Sequence, residues 1–327
     1  VMFRASYATG FLPPRVQQIV ENPSLALPDF IFGLLQLRDP RRGNEIVGSA
    51  VDNDVAVRTG GNPDLQAENS DSWSAGVILT PRFVPGLRLS ADWTQIKKTD
   101  EIGQIATFQQ ILELESLVPS LAARSTDSAT FGTFGVGPII GIDGRLQNLA
   151  DRKIDAYDFT ARYLRATARF GEFDLSATAT RMNTNESRAV ATAPVIDNLG
   201  TIDGLQWRGN VTLTWSFANW TAAWAARHFQ SYRLYSIGQE IAPVLAAQGS
   251  AEVPSQTYHD LFVGYRFNAS EDSPGIRGWL SNMEVNLNVS NVFNTNPAVD
   301  LRNAAPYYST LADPRLASYS LSLRKAF

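Results

Sequence analysis

Between Trp207 and Phe217 the chain alternates strictly. Trp207, Gly209, Val211, Leu213, Trp215 and Phe217 fall in one set, and Arg208, Asn210, Thr212, Thr214 and Ser216 in the other. A β-strand points successive side chains to opposite faces, so this order makes one apolar and one polar face, whereas a helix would mix the two sets. The pattern returns in Met283, Val285, Leu287 and Val289 against Glu284, Asn286, Asn288 and Ser290, and continues to Phe293. It returns again in Leu87, Leu89, Ala91 and Trp93 against Arg88, Ser90, Asp92 and Thr94, and in Phe173, Leu175, Ala177 and Ala179 against Asp174, Ser176, Thr178 and Thr180. Weaker versions occupy residues 1–9, 71–80, 153–167, 219–232, 256–268 and 316–327, with Ile78, Leu164 and Phe262 as apolar exceptions on the polar face. About ten strands follow, each near the ~9–11 residues that cross a bilayer at a steep tilt.

The links between these segments alternate in length. Short links lie near Pro81 to Gly86, near Gly171, at Ala218-Asn219 and around Ser270 to Gly278; long ones cover residues 10–70, 100–152, 185–205, 236–255 and 296–314. Tight periplasmic turns and long extracellular loops are the habit of outer-membrane barrels, and the order places the C-terminus on the periplasmic side. A secreted all-β protein would also alternate. Against it stand the regular strand length and the aromatic residues at strand ends, Trp207, Trp215, Phe217, Trp220, Tyr265 and Phe267, where an interfacial girdle belongs. The slightly negative mean hydropathy is compatible with a barrel, in which only every second residue meets lipid. No stretch approaches the ~18–20 apolar residues of a membrane helix.

With no cysteine there is no disulfide framework and no thiolate metal site. A formal net charge of −4 argues against a nucleic-acid partner, which asks for a basic surface. The chain opens inside an alternating run, Val1-Met2-Phe3-Arg4-Ala5-Ser6-Tyr7, with no leader pattern before it, so the expectation is a portion of a longer polypeptide.

Five segments resemble, in order, the C-terminal half of TonB-dependent outer-membrane receptors. They are Ser6-Tyr7-Ala8-Thr9-Gly10-Phe11-Leu12-Pro13-Pro14, similar to a strand with a Gly-Phe-x-x-Pro turn; Gly61-Asn62-Pro63-Asp64-Leu65-Gln66-Ala67-Glu68, with Ala67 where proline is usual; Gln147-Asn148-Leu149 leading into Ile154-Asp155-Ala156-Tyr157-Asp158-Phe159; Val289-Ser290-Asn291-Val292-Phe293-Asn294; and a last strand ending in Phe327. Ala156 replaces a common glycine, and Lys325 stands where an outward apolar residue is usual, a place from which it can snorkel. The resemblance implies an all-β fold: an antiparallel transmembrane β-barrel of 22 strands, of which residues 1–327 supply about ten as the C-terminal portion, with long extracellular loops and short periplasmic turns. Signal peptide, TonB box and plug lie outside this sequence. It further implies residence in the bacterial outer membrane and import of a scarce nutrient of the siderophore-iron, cobalamin or oligosaccharide class. Implied partners are outer-membrane lipid and lipopolysaccharide, a plug domain of the same polypeptide, TonB-ExbB-ExbD, the barrel-assembly machinery, which would read Phe327, and a small-molecule nutrient. A passive porin-like channel, or an autonomous ten-stranded barrel with an enzyme or adhesin role, are the alternatives.

No cofactor is implied, and the chemistry-bearing residues point to binding. His228 and His259 lack partners at ligand spacing, and no nucleophile elbow, Walker loop or zinc-protease helix occurs, so the chain is read as no enzyme and no metal protein. Residues 104–118 predict a short amphipathic helix over the barrel mouth, with Glu113 and Glu115 on its solvated face, and residues 125–137 read as a flexible loop. Arg38, Arg41 and Arg42 concentrate positive charge in a predicted extracellular loop and could grip an anionic ligand or lipopolysaccharide phosphates; an ordinary solvated loop would carry the same residues. Arg4, Arg88, Asp92, Asp158, Arg162, Arg208, Asp260, Arg266 and Arg324 fall on the polar faces, where they would meet a plug or line an aqueous lumen.

Overall fold

The computed structural model describes residues 1–20, 37–47, 55–103, 107–188, 193–235, 242–267, 275–302 and 307–325. Phe327, the expected assembly signal, lies outside them. Ten long strands run in chain order: β1 (Met2–Leu12), β2 (Glu68–Leu79), β3 (Leu87–Gly103), β4 (Gln147–Thr167), β5 (Gly171–Ser187), β6 (Trp207–Phe217), β7 (Trp220–Phe229), β8 (Gln256–Arg266), β9 (Met283–Ser290) and β10 (Ser318–Lys325). Each pairs antiparallel with its neighbours in sequence, and β1 and β10 pair on one side only, so the described sheet does not close on itself as a ten-stranded barrel would. A short strand, Ile196–Asp197, adds to the upper end of β5.

Every long link emerges at one end of this sheet and every turn at the other, because the strands alternate in direction. At the first turn Gly86 has φ +88°, and a Cβ there would lie 2.0 Å from the carbonyl oxygen of Leu164, so only glycine fits. β3, β4 and β5 extend beyond the alternating segments, to 17, 21 and 17 residues. Their upper parts carry Lys97, Lys98, Arg152 and Lys153, which ends the hydrophobic alternation while the backbone pairing continues through irregular registers near Lys98 and Met182.

The apolar face remains open. Leu321 and Leu323 are 67% and 64% exposed, and Leu213, Leu261, Val263 and Leu287 on the same face are exposed too. A contiguous apolar surface of this size on a water-soluble sheet is a liability; against lipid it is the required exterior. Aromatic rings edge it at both ends. Tyr7 lies 4.3 Å from Trp73 and Phe159 6.3 Å from Trp207 toward the loop end; Trp220 lies 4.6 Å from Tyr265, and Tyr265 4.7 Å from Phe267, toward the turn end. Trp207 and Phe217 are separated by roughly 34 Å of strand, which at a tilt of ~45° is about 24 Å of height, matching the apolar band of an outer-membrane barrel. At the turn end Lys325 donates to the carbonyl of Trp279 and sets its ammonium 5.3 Å from that ring's centre, so its charge leaves the apolar face.

Among the described residues, buried cores occur in the loops and not in the wall. One joins the first two long loops through Leu37, Val55, Val57, Ile111, Ile139 and Ile142, with Ala56–Arg58 pairing parallel to Ile139–Asp143 and Ala122–Arg124 completing the small sheet. The second gathers Leu205, Tyr232, Leu234, Val253 and Ala298 from the last three long loops. The expected helix forms over Phe108–Glu113, capped by Thr107 Oγ1 accepting from the Gln110 N–H at 3.1 Å, and its Ile111 and Leu112 are buried in the first loop core. Glu115 departs from the expectation of a solvated face: it is 4% exposed and ion-paired. Residues 125–137 depart as well, adopting a 3-10 turn at Ser128–Thr130.

Candidate functional site

The cross-strand registers place all nine polar-face charges on one face of the sheet. Arg4, Asp92, Asp158 and Arg208 fall in one row across the sheet, and Arg88, Arg162 and Asp260 in a row below. Arg266 and Arg324 flank Glu284 at the turn end. Most of these charges have partners within the wall. Arg4 binds Asp92 through both arms, Nε to Oδ1 at 2.7 Å and Nη2 to Oδ2 at 2.6 Å, reaching across β2 above Gly76. A Cβ on Gly76 would lie 1.8 Å from Asp92 Oδ1, so the glycine makes room for the pair. Arg162 meets Asp174 at 2.7 Å, and Thr180 donates to Asp158 at 2.7 Å. Longer contacts of 3.4 Å join Arg227 to Asp260 and Arg266 to Glu284. Among the described residues, Arg88 and Arg208 have no side-chain hydrogen bond or ion pair.

In the loop run the three arginines separate. Arg42 is 8% exposed; it pairs with Glu45, sends Nη1 to the carbonyls of Thr130, Phe131 and Val136, and lies 4.8 Å from the centre of the Phe134 ring. Those bonds make it the organiser of residues 125–137, and its Nε and Nη1 are committed inside the loop core, against the expected grip on an anion. Arg41 is half exposed and reaches Glu115 at 3.0 Å. Arg38 stays exposed, with one bond from Nη1 to the Asn44 carbonyl at 3.2 Å.

Sequence reasoning missed the centre of this loop assembly. Arg124 bridges Asp39 from the first loop, at 2.7 and 2.8 Å, and Glu115 from its own, at 2.7 and 2.6 Å. Hydrogen bonds from Arg124 and Arg41 hold the Glu115 carboxyl below the usual carboxylate range despite its burial. Burial works to lower the Arg124 guanidinium, and the bonds to Glu115 and Asp39 outweigh it and raise the group. The second core has a matching device. Buried Tyr232 donates to Asp300 at 2.9 Å and is 2.8 Å from Ser309, while Arg302 grips Asp300 at 2.6 Å. Burial pushes the Tyr232 phenol up to about 12.

A sequence signal for such staples was present. Asp143-Gly144-Arg145, Asp300-Leu301-Arg302 and Asp313-Pro314-Arg315 share one geometry: the arginine N–H and Nε both donate to Oδ1, at 3.1 and 3.0 Å in each case, and Nη2 donates to Oδ2. Asp39-Pro40-Arg41 begins the same way, its Arg41 N–H reaching Asp39 Oδ1 at 3.0 Å, but there Arg124 takes the carboxylate and Arg41 turns to Glu115.

Separated motifs also meet. Asn148 accepts from the Gln66 N–H at 2.8 Å and donates to the carbonyls of Gln66 and Asp100, both at 2.9 Å, while buried Asn62 donates to the Leu146 carbonyl at 2.9 Å. The Gly-Asn-Pro segment and the Gln-Asn-Leu segment therefore form one joint at the top of β2, β3 and β4. At β9, Asn291 turns with φ +52° and its N–H donates to Asp260 Oδ1 at 2.8 Å. His259 and His228 both lie on the apolar face; Trp224 donates to His259 Nδ1 at 3.3 Å, and His228 Nδ1 is 2.8 Å from Thr257 Oγ1.

A sheet with one lipid-ready face, one charge-lined face and loops cored at a single end has a matching family description: the family model for the TonB dependent receptor-like β-barrel covers residues 1–292. The chain belongs to this family. It is accordingly an antiparallel β-barrel protein of the Gram-negative outer membrane. Solved receptor structures share the fold at low identity. The siderophore receptor PirA from Acinetobacter baumannii is similar at 15% identity and a TM-score of 0.57, over 99% of this chain and 39% of that one. A variant of the ferric enterobactin receptor PfeA from Pseudomonas aeruginosa gives 13% and 0.57, over 98% and 37%. The TonB-dependent barrel described here thus spans under two-fifths of the length of these receptors. No curated protein sequence matches the chain.

Proposed function

We propose that this chain forms the wall and outer loops of a receptor that imports a scarce nutrient across the outer membrane, with energy delivered through TonB-ExbB-ExbD to a plug within the same polypeptide. Residues 1–327 then correspond to the last ten or so strands of a 22-stranded barrel. The observation that carries the reading is the partition of the sheet: a charged inner face on which Arg4, Arg162 and Arg266 are held by carboxylates, beneath loops that are prefolded around their own cores. A bare water channel needs no such cored loops, whereas a selective receptor needs surfaces that keep their shape before the ligand arrives.

The solved relatives named for siderophore and ferric enterobactin binding favour an iron-carrying ligand over cobalamin or an oligosaccharide. Of the three arginines in the Arg38–Arg42 run, Arg38 and the exposed arm of Arg41 are left to meet it, Arg42 being committed to the scaffold. On the wall Arg4, Arg88, Asp92, Asp158, Arg162, Arg208, Asp260, Arg266 and Arg324 are the plug-facing or lumen-lining set. No step requires covalent catalysis, and the role is binding and passage.

The test is growth and radiolabelled uptake in a strain lacking the complete gene, supplied in turn with ferric siderophores, cobalamin and oligosaccharides. Loss of uptake for one class, and the same loss on collapse of the proton-motive force or deletion of TonB, is expected. Uptake that continues at full rate in a de-energised cell would identify a passive pore and reject the proposal.

A further inference from the structure

One part of the inner wall is built differently from the rest. Between Arg208 on β6 and Arg227 on β7 the sheet carries the short side chains Thr178, Thr180, Asn210 and Thr212, leaving a recess of about 470 Å³. Register sets Arg227 beside Asn210 and puts Arg208 one pleat above it, so the two guanidinium groups border the same floor. Arg208 has no side-chain partner among the described residues. Among the described residues Arg227 is held by the 3.4 Å contact to Asp260, by the face of Tyr258, 5.9 Å away, and at longer range by the charge of Asp313.

The floor has an assigned polarity. Thr178 Oγ1 donates to Asn210 Oδ1 at 2.5 Å, which occupies the acceptor end of that amide and leaves its NH₂ free to donate. Thr180 is turned the other way, donating to Asp158 at 2.7 Å. The carboxylates near the recess are already engaged: Asp158 by Thr180, Asp260 by Arg227 and the Asn291 N–H at 2.8 Å, and Asp313, whose charge also reaches Arg227, by Arg315 at 2.9 Å. What remains unsatisfied at the recess consists of donors: the fork of Arg208, the outer arm of Arg227 and the Asn210 amide. Two planar forks and an amide donor around one space suit the several lone pairs of an oxyanion.

We propose that this recess is an oxyanion station on the inner wall, taking a carboxylate, phosphate or comparable oxyanion group of a solute inside the barrel. Resting on the import reading only for its place inside a lumen, it adds a site to that reading. A solute anion held here would be met by Arg208 first from the loop side, since Arg208 lies one pleat nearer the loops than Asn210 and Arg227.

The probe is selenate, soaked into crystals of the full-length receptor and located by its anomalous scattering. A selenium peak within hydrogen-bonding reach of Arg208 and Arg227 is expected in the wild type. Arg208→Gln should abolish it, and Thr178→Val, which releases the Asn210 amide, should weaken it. Among the described residues Arg208 holds nothing else in place, and circular dichroism of each variant reports whether the barrel is formed; Arg208→Lys, which keeps the charge and loses the fork, should weaken the peak without abolishing it. A peak of equal strength in the wild type, Arg208→Gln and Thr178→Val marks an adventitious ion only and overturns the assignment. So does a recess empty in the wild type, or filled by a carboxylate of the same polypeptide. Because selenate reads the recess directly, its failure is separable from loss of the uptake phenotype, which bears on import.

Discussion

Replacing Arg124 by methionine isolates what holds the first two long loops together. The side chain is 12% exposed, and its two partners, Asp39 and Glu115, are 2% and 6% exposed. Methionine keeps most of the aliphatic stem and removes the fork, so the main consequence is two buried carboxylates deprived of their shared cation, with Arg41 the one remaining partner of Glu115 among the described residues. Removing one partner from a buried pair typically costs about 3–5 kcal/mol. The loop core around Leu37, Val57, Ile111 and Ile142 should then open roughly two to nearly four orders of magnitude more often, at about 1.4 kcal/mol per factor of ten.

Hydrogen exchange read by mass spectrometry checks this directly, in peptides covering residues 37–47, 107–124 and 139–143, with a β6 peptide as internal reference. Faster exchange in the loop peptides and none in β6 is expected. The pH dependence separates charge from packing. Glu115 has its carboxyl lowered by its arginines from an ordinary value of 4.5, so it contributes its stabilisation above about that pH and loses it as pH falls through the lowered value. In Arg124→Met, Glu115 loses the partner that lowers it most and takes up its proton more readily, and the gap to the wild type should shrink on acidification. Asp39→Asn and Glu115→Gln, added to Arg124→Met, should recover much of the loss at neutral pH. Unchanged protection in Arg124→Met, or a deficit indifferent to pH, would refute the ion-network account in favour of simple apolar packing.

Tyr232 should hold the second loop core through its neutral phenol. Its stabilisation is complete below the ordinary tyrosine value of 10 and is lost as pH rises through about 12, so exchange protection of residues 232–234 should fall across that window in the wild type and not in Tyr232→Phe, which itself costs about 1–2 kcal/mol for the lost bonds. Gly76→Ala drives a methyl into Asp92 Oδ1 and breaks the Arg4 pair; a destabilisation of about 1–3 kcal/mol should appear as a lower urea midpoint of the folded barrel. Asn148→Ala removes three bonds at the joint of two loops, and faster exchange at the Gln66 amide with an unchanged urea midpoint for the wall is the expected signature.

The wall was legible because lipid and water impose a period of two over whole strands. Each of the ten alternating segments became a strand, and the nine polar-face charges share one face because register carries a polar position on one strand to a polar position on the next. Legibility ended where that constraint ended. Above the apolar band β4 continues through Arg152 and Lys153 with no alternation to reveal it. In the loops, the partners of Arg124 lie 85 and 9 residues away, and no local spacing announces such a pair. The run at Arg38, Arg41 and Arg42 looked uniform as sequence, yet burial split it into a scaffold residue, a half-committed one and an exposed one. The Asp-x-Arg repeat was the one loop feature a reader of the sequence could have used.

Low identity to solved relatives follows from the same physics. A lipid-facing position asks only that its side chain be apolar, and an inner position only that it suit its cross-strand neighbour, so Leu213, Val263 or Leu287 can each be exchanged for another apolar residue without altering the barrel. Thirteen to fifteen per cent identity is therefore enough to share the wall with PirA and PfeA. The loops obey a stricter rule. Arg42 must reach three particular carbonyls, and Arg124 two particular carboxylates, so each substitution there demands a compensating one. Likeness in the wall consequently carries the fold; on the import reading proposed above, ligand choice falls to the cored loops and to the unpaired donors beneath them, and exchange of those segments between relatives should transfer specificity.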